Sequence, residues 1–300
     1  DEEDALARAE NFHKQTWTDK FEVLCCKDIK ARELWDLIWE NSVKSGDPGI
    51  YNISLANKYT NVSYFETLDS TNPCGEIPLP NFGNCCLGHV NLSNMVEEGE
   101  FNWKRFAASV RTGIRFLDNV LTVNSFPIDE CREAAHKSRR IGLGFMGYHY
   151  MLIKLGIKYG SDKCLEFTDR LMSTFRDEAY KTSIYMSRDK GPFEEFNASK
   201  YLKEEFAKTL PARIRMLIRE HGIRNAVMLT IAPTGTISMV HGVSSGVEPI
   251  FAAMYKRRYR EKNNWQETVV VDPLFKEHFD KGLDLEDFVG AYDVTPKQHM

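Results

Sequence analysis

The sequence predicts a mixed α/β fold, and three features predict it. Apolar residues recur at helical spacing over several long stretches. A short continuous apolar run at 226–231 suits a buried strand. Residues 50–94, rich in Asn, Gly, Pro and Ser, read as short strands and loops.

Each element has its own signal. Residues 31–44 place Leu34, Trp35, Leu37, Ile38 and Val43 at helical spacing, and Gly46-Asp47-Pro48-Gly49 stops that helix. A second helix over 103–123 turns Phe106, Val110, Ile114, Phe116, Leu117, Val120 and Leu121 to one side. Pro127 suits the first turn of the next helix, which runs through Cys131 and Ala135. The run Ile141-Gly142-Leu143-Gly144-Phe145-Met146-Gly147 has Gly-x-Gly-x-x-Gly spacing. The polar, basic residues before it are no buried strand, however, and no ribose-binding acid follows on a second one. Glycines that let a helix pack closely are the better reading. A long helix covers 162–188 until Gly191-Pro192 breaks it. Another opens at Pro211 and closes at His221-Gly222. The strand at 226–231 then leads into Ala232-Pro233-Thr234-Gly235-Thr236-Ile237-Ser238.

Composition narrows the function classes. With 300 residues, 42% hydrophobic and 27% charged, the chain suits one large domain or two ordinary ones. A formal net charge of -4 gives no basic field for a nucleic-acid partner. No apolar run approaches the ~20 residues of a membrane helix, and the acidic start Asp1-Glu2-Glu3-Asp4 is unlike a secretory signal. A cytoplasmic location is expected. The seven cysteines, Cys25, Cys26, Cys74, Cys85, Cys86, Cys131 and Cys164, form no Cys-x-x-Cys pair. Reduced thiols are therefore expected, and no metal site.

Asn72-Pro73-Cys74-Gly75-Glu76 carries an amide, a thiol and a carboxylate at positions i, i+2 and i+4. In an extended segment these would project to one side and offer a hydrogen-bonding group, a redox atom and a general base. A turn around a buried cysteine is the other reading, and spacing leaves both open. Cys85 offers a second thiol eleven residues on. The Thr234-Gly235-Thr236 turn after a buried strand can aim backbone N–H groups at an anion. It lacks the Gly-Lys-Ser/Thr ending of a Walker loop, so ATP hydrolysis is not indicated. An ordinary strand-to-helix turn is its alternative. His241 and Glu248 follow it, and each is read as a structural polar group.

Together, Asn72-Pro73-Cys74-Gly75-Glu76-Ile77 and Asn84-Cys85-Cys86-Leu87-Gly88-His89-Val90-Asn91-Leu92 resemble the catalytic finger loop of ribonucleotide reductase large subunits, especially the adenosylcobalamin-dependent branch. The segment from Ala232 to Ser238 resembles that family's substrate-phosphate loop. Phe116-Leu117-Asp118-Asn119-Val120 and Arg140-Ile141-Gly142-Leu143-Gly144 recur there in the same order. The resemblance implies part of a ten-stranded α/β barrel, with Cys74 at the tip of a central loop. It gives Cys74 the thiyl radical that takes hydrogen from the ribose 3′ carbon, Glu76 the 3′ hydroxyl proton, and Asn72 a hydrogen bond to that hydroxyl. Cys85 matches one cysteine of the reducing pair, and Cys86 receives no role. Pro233, Thr234, Gly235, Thr236, Ile237 and Ser238 would bind the phosphates of a ribonucleoside diphosphate or triphosphate. Implied with them are adenosylcobalamin, or else a metal-radical cofactor on a separate small subunit, and a thioredoxin- or glutaredoxin-like reductant.

Two departures qualify the resemblance. The family's other reducing cysteine and its effector site lie upstream of the finger loop, and Cys25 and Cys26 do not match that motif. Residues 293–300 look as if final barrel strands should follow. Residues 1–300 are therefore expected to be one part of a catalytic barrel domain, lacking its first half and its end. The alternative function is a catalytically silent piece that works only when assembled with complementary chains.

Overall fold

The computed structural model describes residues 15–18, 21–23, 30–262, 264–283, 285 and 288–299. Cys25 and Cys26 lie outside the described residues. The chain divides into two compact units, Asp1–Tyr51 and Asn52–Met300.

In the smaller unit, β1 (Gln15–Thr18) and β2 (Phe21–Val23) pair antiparallel, and helix α1 spans Ala31–Ser45. Gly46, at φ +82°, ends α1 as its spacing predicts, donating its N–H to Ser42 O at 2.8 Å. The apolar stripe holds as a pattern but not as a core. Leu34, Trp35, Leu37 and Val43 are all exposed.

The larger unit corrects part of the loop-and-strand reading of 50–94, because α2 (Ile53–Tyr59) is a helix. Asn52 caps it by accepting the Leu55 N–H at 2.9 Å, a local bond that outweighs the short, polar sequence. Beyond it, the chain forms the two-residue strands β3 (Ser70–Thr71) and β4 (Pro78–Leu79) and then β5 (Cys86–Asn91). A 3₁₀ turn at Leu92–Met95 and a small hairpin, β6 (Val96–Glu97) with β7 (Glu100–Phe101), lead into α3 (Trp103–Val123). Next, α4 covers Asp129–Ser138, so Pro127 lies just before the helix rather than in its first turn. The glycine run is itself a strand, β8 (Ile141–Met146), buried throughout.

The core forms between this strand and the helices. β5 and β8 pair in parallel, with Leu87 opposite Gly142 and His89 opposite Gly144. A third parallel stretch joins the far edge of β8: Leu143 bridges Leu229, and Thr230 N–H donates to Leu143 O at 3.1 Å. Among the described residues these strands form an open array and close no barrel. Ile141, Leu143 and Phe145 fill one face of β8 and pack under α3. Each such buried side chain contributes roughly 1.5–3 kcal/mol of burial energy. The glycine that admits this helix is Gly113 of α3, where an added Cβ would stand 2.7 Å from the Leu143 side chain. Gly142 and Gly144 therefore do not serve helix packing as expected. They clear the opposite face of β8. Phe116, placed by its spacing on the apolar side of α3, is 64% exposed.

The 29-residue helix α6 (Asp162–Lys190) packs along α3, after the short buried α5 (Tyr148–Lys154). Three helices follow, α7 (Ala198–Tyr201), α8 (Glu205–Thr209) and α9 (Ala212–His221), before the chain re-enters the sheet at 227–230. It leaves through α10 (Gly235–His241), an exposed hairpin of β9 (Met254–Glu261) and β10 (Asn264–Val271), and α11 (Pro273–Asp280). Among the described residues no helix is long and apolar enough to cross a membrane.

Candidate active site

Cys74 sits in the loop of the β3–β4 hairpin. Asn72 closes this loop twice, its N–H donating to Ile77 O at 3.1 Å and its side-chain Oδ1 accepting the Ile77 N–H at 2.9 Å. Gly75 turns the chain at φ +81°, a conformation that side-chain-bearing residues rarely adopt. The result leaves the Cys74 thiol exposed. The alternation that was to gather Asn72, Cys74 and Glu76 on one side needs an extended strand. Here the chain turns, and the Asn72 amide oxygen is occupied in holding the turn.

Glu76 instead reaches inward. Its carbonyl accepts the Thr230 hydroxyl at 3.3 Å, and its carboxylate Oε2 is buried with no hydrogen-bond partner among the described residues. The face of β8 cleared by Gly142 and Gly144 lies beside it. An added Cβ at Gly142 would stand 3.0 Å from Cys85 Sγ and 2.9 Å from Thr230 Cγ2. At Gly144 the same atom would meet Thr230 O at 2.7 Å and His89 Cδ2 at 2.9 Å. Cys85, His89 and Thr230 thus press onto β8 where Gly142 and Gly144 offer no side chain to keep them away.

Burial dominates the chemistry here. It pushes the Cys85 thiol up to about 12, against the pull of the nearby Arg140 guanidinium, so the thiol stays protonated at neutral pH. Arg140 is itself buried in an ion pair with Glu66. Burial also lowers the His89 imidazole, with Glu76 acting in the opposite direction. No disulfide joins cysteines among the described residues, where Cys74, Cys85, Cys86, Cys131 and Cys164 are free thiols.

From Thr230 the chain passes directly to the anion-loop candidates. Thr234 is left-handed at φ +55° and buried, and its hydroxyl accepts the Gly246 N–H at 2.9 Å instead of capping α10. That leaves the first N–H groups of α10 uncapped by a side chain. An added Cβ at Gly235 would meet nothing within 4 Å, so this approach to the backbone is open. Ser238 is turned inward, donating its hydroxyl to Gly235 O at 3.1 Å, while Ile237 is exposed. His241 and Glu248 are exposed.

Sequence reasoning missed His89, Thr230 and a buried polar cluster behind the sheet. At its centre Asp118 of α3, fully buried, accepts from Arg139 Nε at 2.9 Å and from Asn225 Nδ2 at 3.0 Å. Arg139 also donates to Thr122 Oγ1 at 2.7 Å, and Ser183 of α6 donates to Asn225 Oδ1 at 2.9 Å. The Asp118 position stood within a recurring motif, but its partners lie too far along the chain for spacing to show them.

Comparison with known proteins identifies the family. The family model described as ribonucleotide reductase, barrel domain, matches residues 6–293. A vitamin B12-dependent ribonucleoside-diphosphate reductase of Thermoplasma acidophilum is 40% identical over 252 residues, covering 84% of this chain and 30% of that protein. One of the same name from Mycobacterium tuberculosis is 36% identical over 229 residues, covering 76% of this chain and 31% of that protein. The ribonucleoside-diphosphate reductase subunit alpha of Chlamydia muridarum is 29% identical over 268 residues, covering 79% of this chain and 25% of that protein. The chain thus spans less than a third of the length of each of these relatives. With a family match running through both the hairpin and the anion loop, the chain belongs to the ribonucleotide reductase family and corresponds to its barrel domain.

Proposed function

We propose that this chain supplies the radical thiol and the phosphate loop of a ribonucleoside-diphosphate reductase that makes deoxyribonucleotides for DNA synthesis. One observation carries the reading. The Thr230 hydroxyl holds the Glu76 carbonyl just before the chain enters the anion loop, so the cysteine hairpin and that loop meet in one place. In this reading the Cys74 thiyl takes the 3′ hydrogen and becomes a thiol, while Glu76 accepts the 3′ hydroxyl proton. The 2′ hydroxyl leaves as water with a proton from the cysteine pair. Cys85 and a second cysteine, supplied by the rest of the enzyme, give two electrons and become a disulfide, their other proton going to the 2′ carbon while Glu76 returns the 3′ hydroxyl proton. Cys74 then returns its hydrogen to the 3′ carbon. A thioredoxin- or glutaredoxin-like dithiol resets the pair. In the substrate complex the Asn72 amide N–H₂ serves the 3′ hydroxyl while its oxygen keeps the hairpin closed, and N–H groups at Thr234 to Ile237 hold the phosphates, the Ser238 N–H being spent on Thr234 O at 2.9 Å. The remainder of the relatives' barrel supplies the ten-stranded enclosure.

The relatives named vitamin B12-dependent support adenosylcobalamin as the radical source. When bound, that cofactor supplies a radical able to take hydrogen from a thiol, and the exposed Cys74 thiol fits such an encounter. Cys74→Ser in the complete reductase containing this chain tests the assignment, because an O–H bond is too strong for the role. Nucleotide reduction is expected to vanish with substrate binding nearly unchanged. Appreciable turnover by the serine variant would remove Cys74 from the mechanism.

A further inference from the structure

The proposed function leaves His89 unused. His89 lies opposite Gly144 on β5, with its ring against the cleared face of β8. A Cβ added at Gly144 would be 3.2 Å from His89 Nε2 and 2.7 Å from Thr230 O, and the Thr230 hydroxyl reaches the Glu76 carbonyl. His89, Thr230 and Glu76 are therefore neighbours around the bare glycine face of β8. Both His89 Nε2 and Glu76 Oε2 are buried without hydrogen-bond partners among the described residues. Buried polar atoms of this kind are rarely left unpaired in a working protein.

We propose that His89 is a positioning residue whose Nε2 N–H, unpartnered in this structure, turns to the Glu76 carboxylate and keeps it ready to accept a proton from the sugar. This rests on Glu76 being the base of the proposed reaction. Burial keeps His89 neutral near pH 7, and a neutral imidazole has one N–H to give. Other charged or titratable groups face the pair. Arg140 is paired with Glu66, and Arg105, which lines the same groove as His89, is paired with Glu97. The Cys85 and Cys86 thiols are both pushed upward by burial and stay neutral. Glu76 is left as the carboxylate available to His89.

The pH dependence of kcat/KM in the complete reductase tests the role. The acid limb reports the base that must be free of its proton, and losing a hydrogen bond to a carboxylate favours the protonated form. In His89→Ala the acid limb is expected to rise by about one pH unit, and in His89→Gln, whose amide can donate, to return towards wild type. A lower rate with an unmoved limb would overturn the proposal. A second measurement needs no turnover: NMR titration of His89 in wild type and in Glu76→Gln. The His89 pKa is expected to fall when the carboxylate charge is removed, and an unchanged value would also overturn the pairing. If the wild-type assembly reduced no nucleotide, the proposed reaction would fail while the titration still reported on the pair.

Discussion

The Asp118 cluster and the Glu76 cluster are both buried and polar, but only the first is closed. Around Asp118, donors and acceptors from α3, α6, the end of α4 and residues 224–225 meet one another. Around Glu76, a carboxylate oxygen and an imidazole nitrogen have no partners among the described residues. A closed cluster holds elements in register, whereas an open one keeps polar groups available to something that arrives later. The difference separates scaffold from candidate site within one unit of the chain.

The largest stability effect is expected on the closed side. Asp118→Ala leaves buried Arg139 and half-buried Arg224 near a missing charge, and losing a buried ion-pair partner costs about 3–5 kcal/mol. Glu76→Gln removes no satisfied side-chain bond and is expected to change stability by under about 1 kcal/mol. Chemical denaturation of both variants in the complete enzyme checks the contrast. Equal losses would mean that the Glu76 cluster is scaffold too.

On the open side, Cys85→Ser is expected to permit loss of the 3′ hydrogen but not normal product, with substrate breaking down and releasing base. Wild-type multiple-turnover yield would remove Cys85 from the mechanism and turn attention to Cys86. A smaller effect is expected at the anion loop. Gly235→Val places a side chain in the open approach to the α10 N–H groups, and losing one charge-assisted hydrogen bond weakens nucleotide binding roughly tenfold or more. Bare nucleoside binding should barely change. Equal weakening of both ligands would indicate general disruption, and no weakening would locate the phosphate elsewhere.

The two thiols give the mildest test, by alkylation at pH 8. Burial raises Cys85 to about 12, so its reactive thiolate is scarce there and appears only as pH rises towards that value. Exposed Cys74 is expected to react first, with Cys85 lagging and accelerating at higher pH. Faster labelling of Cys85 would contradict its buried, neutral state.

The same contrast governs what could be read in advance. Helices α3 and α6 were legible because their apolar residues repeat over many turns. The cysteine loop was legible because Pro73, Gly75 and the flanking motif are local. Strand β8 was not, since two of its six residues are glycines, which weaken a strand signal until burial on both faces supplies the stabilisation. Helix α2 was hidden by its brevity. The Asp118 bonds to Arg139 and Asn225 span 21 and 107 residues, and no periodicity reports such partners. His89 looked like an ordinary strand residue until its register against Gly144 placed it at the site.

The fate of a 3′ tritium label tests the central claim most directly. The complete reductase would be given 3′-tritiated ribonucleoside diphosphate, in wild-type, Cys85→Ser and Cys74→Ser forms. The account predicts that breaking the 3′ carbon–hydrogen bond slows product formation from labelled substrate in the wild type. It also predicts tritium release to water in Cys85→Ser and neither signal in Cys74→Ser. Tritium release that persists without the Cys74 thiol would contradict it.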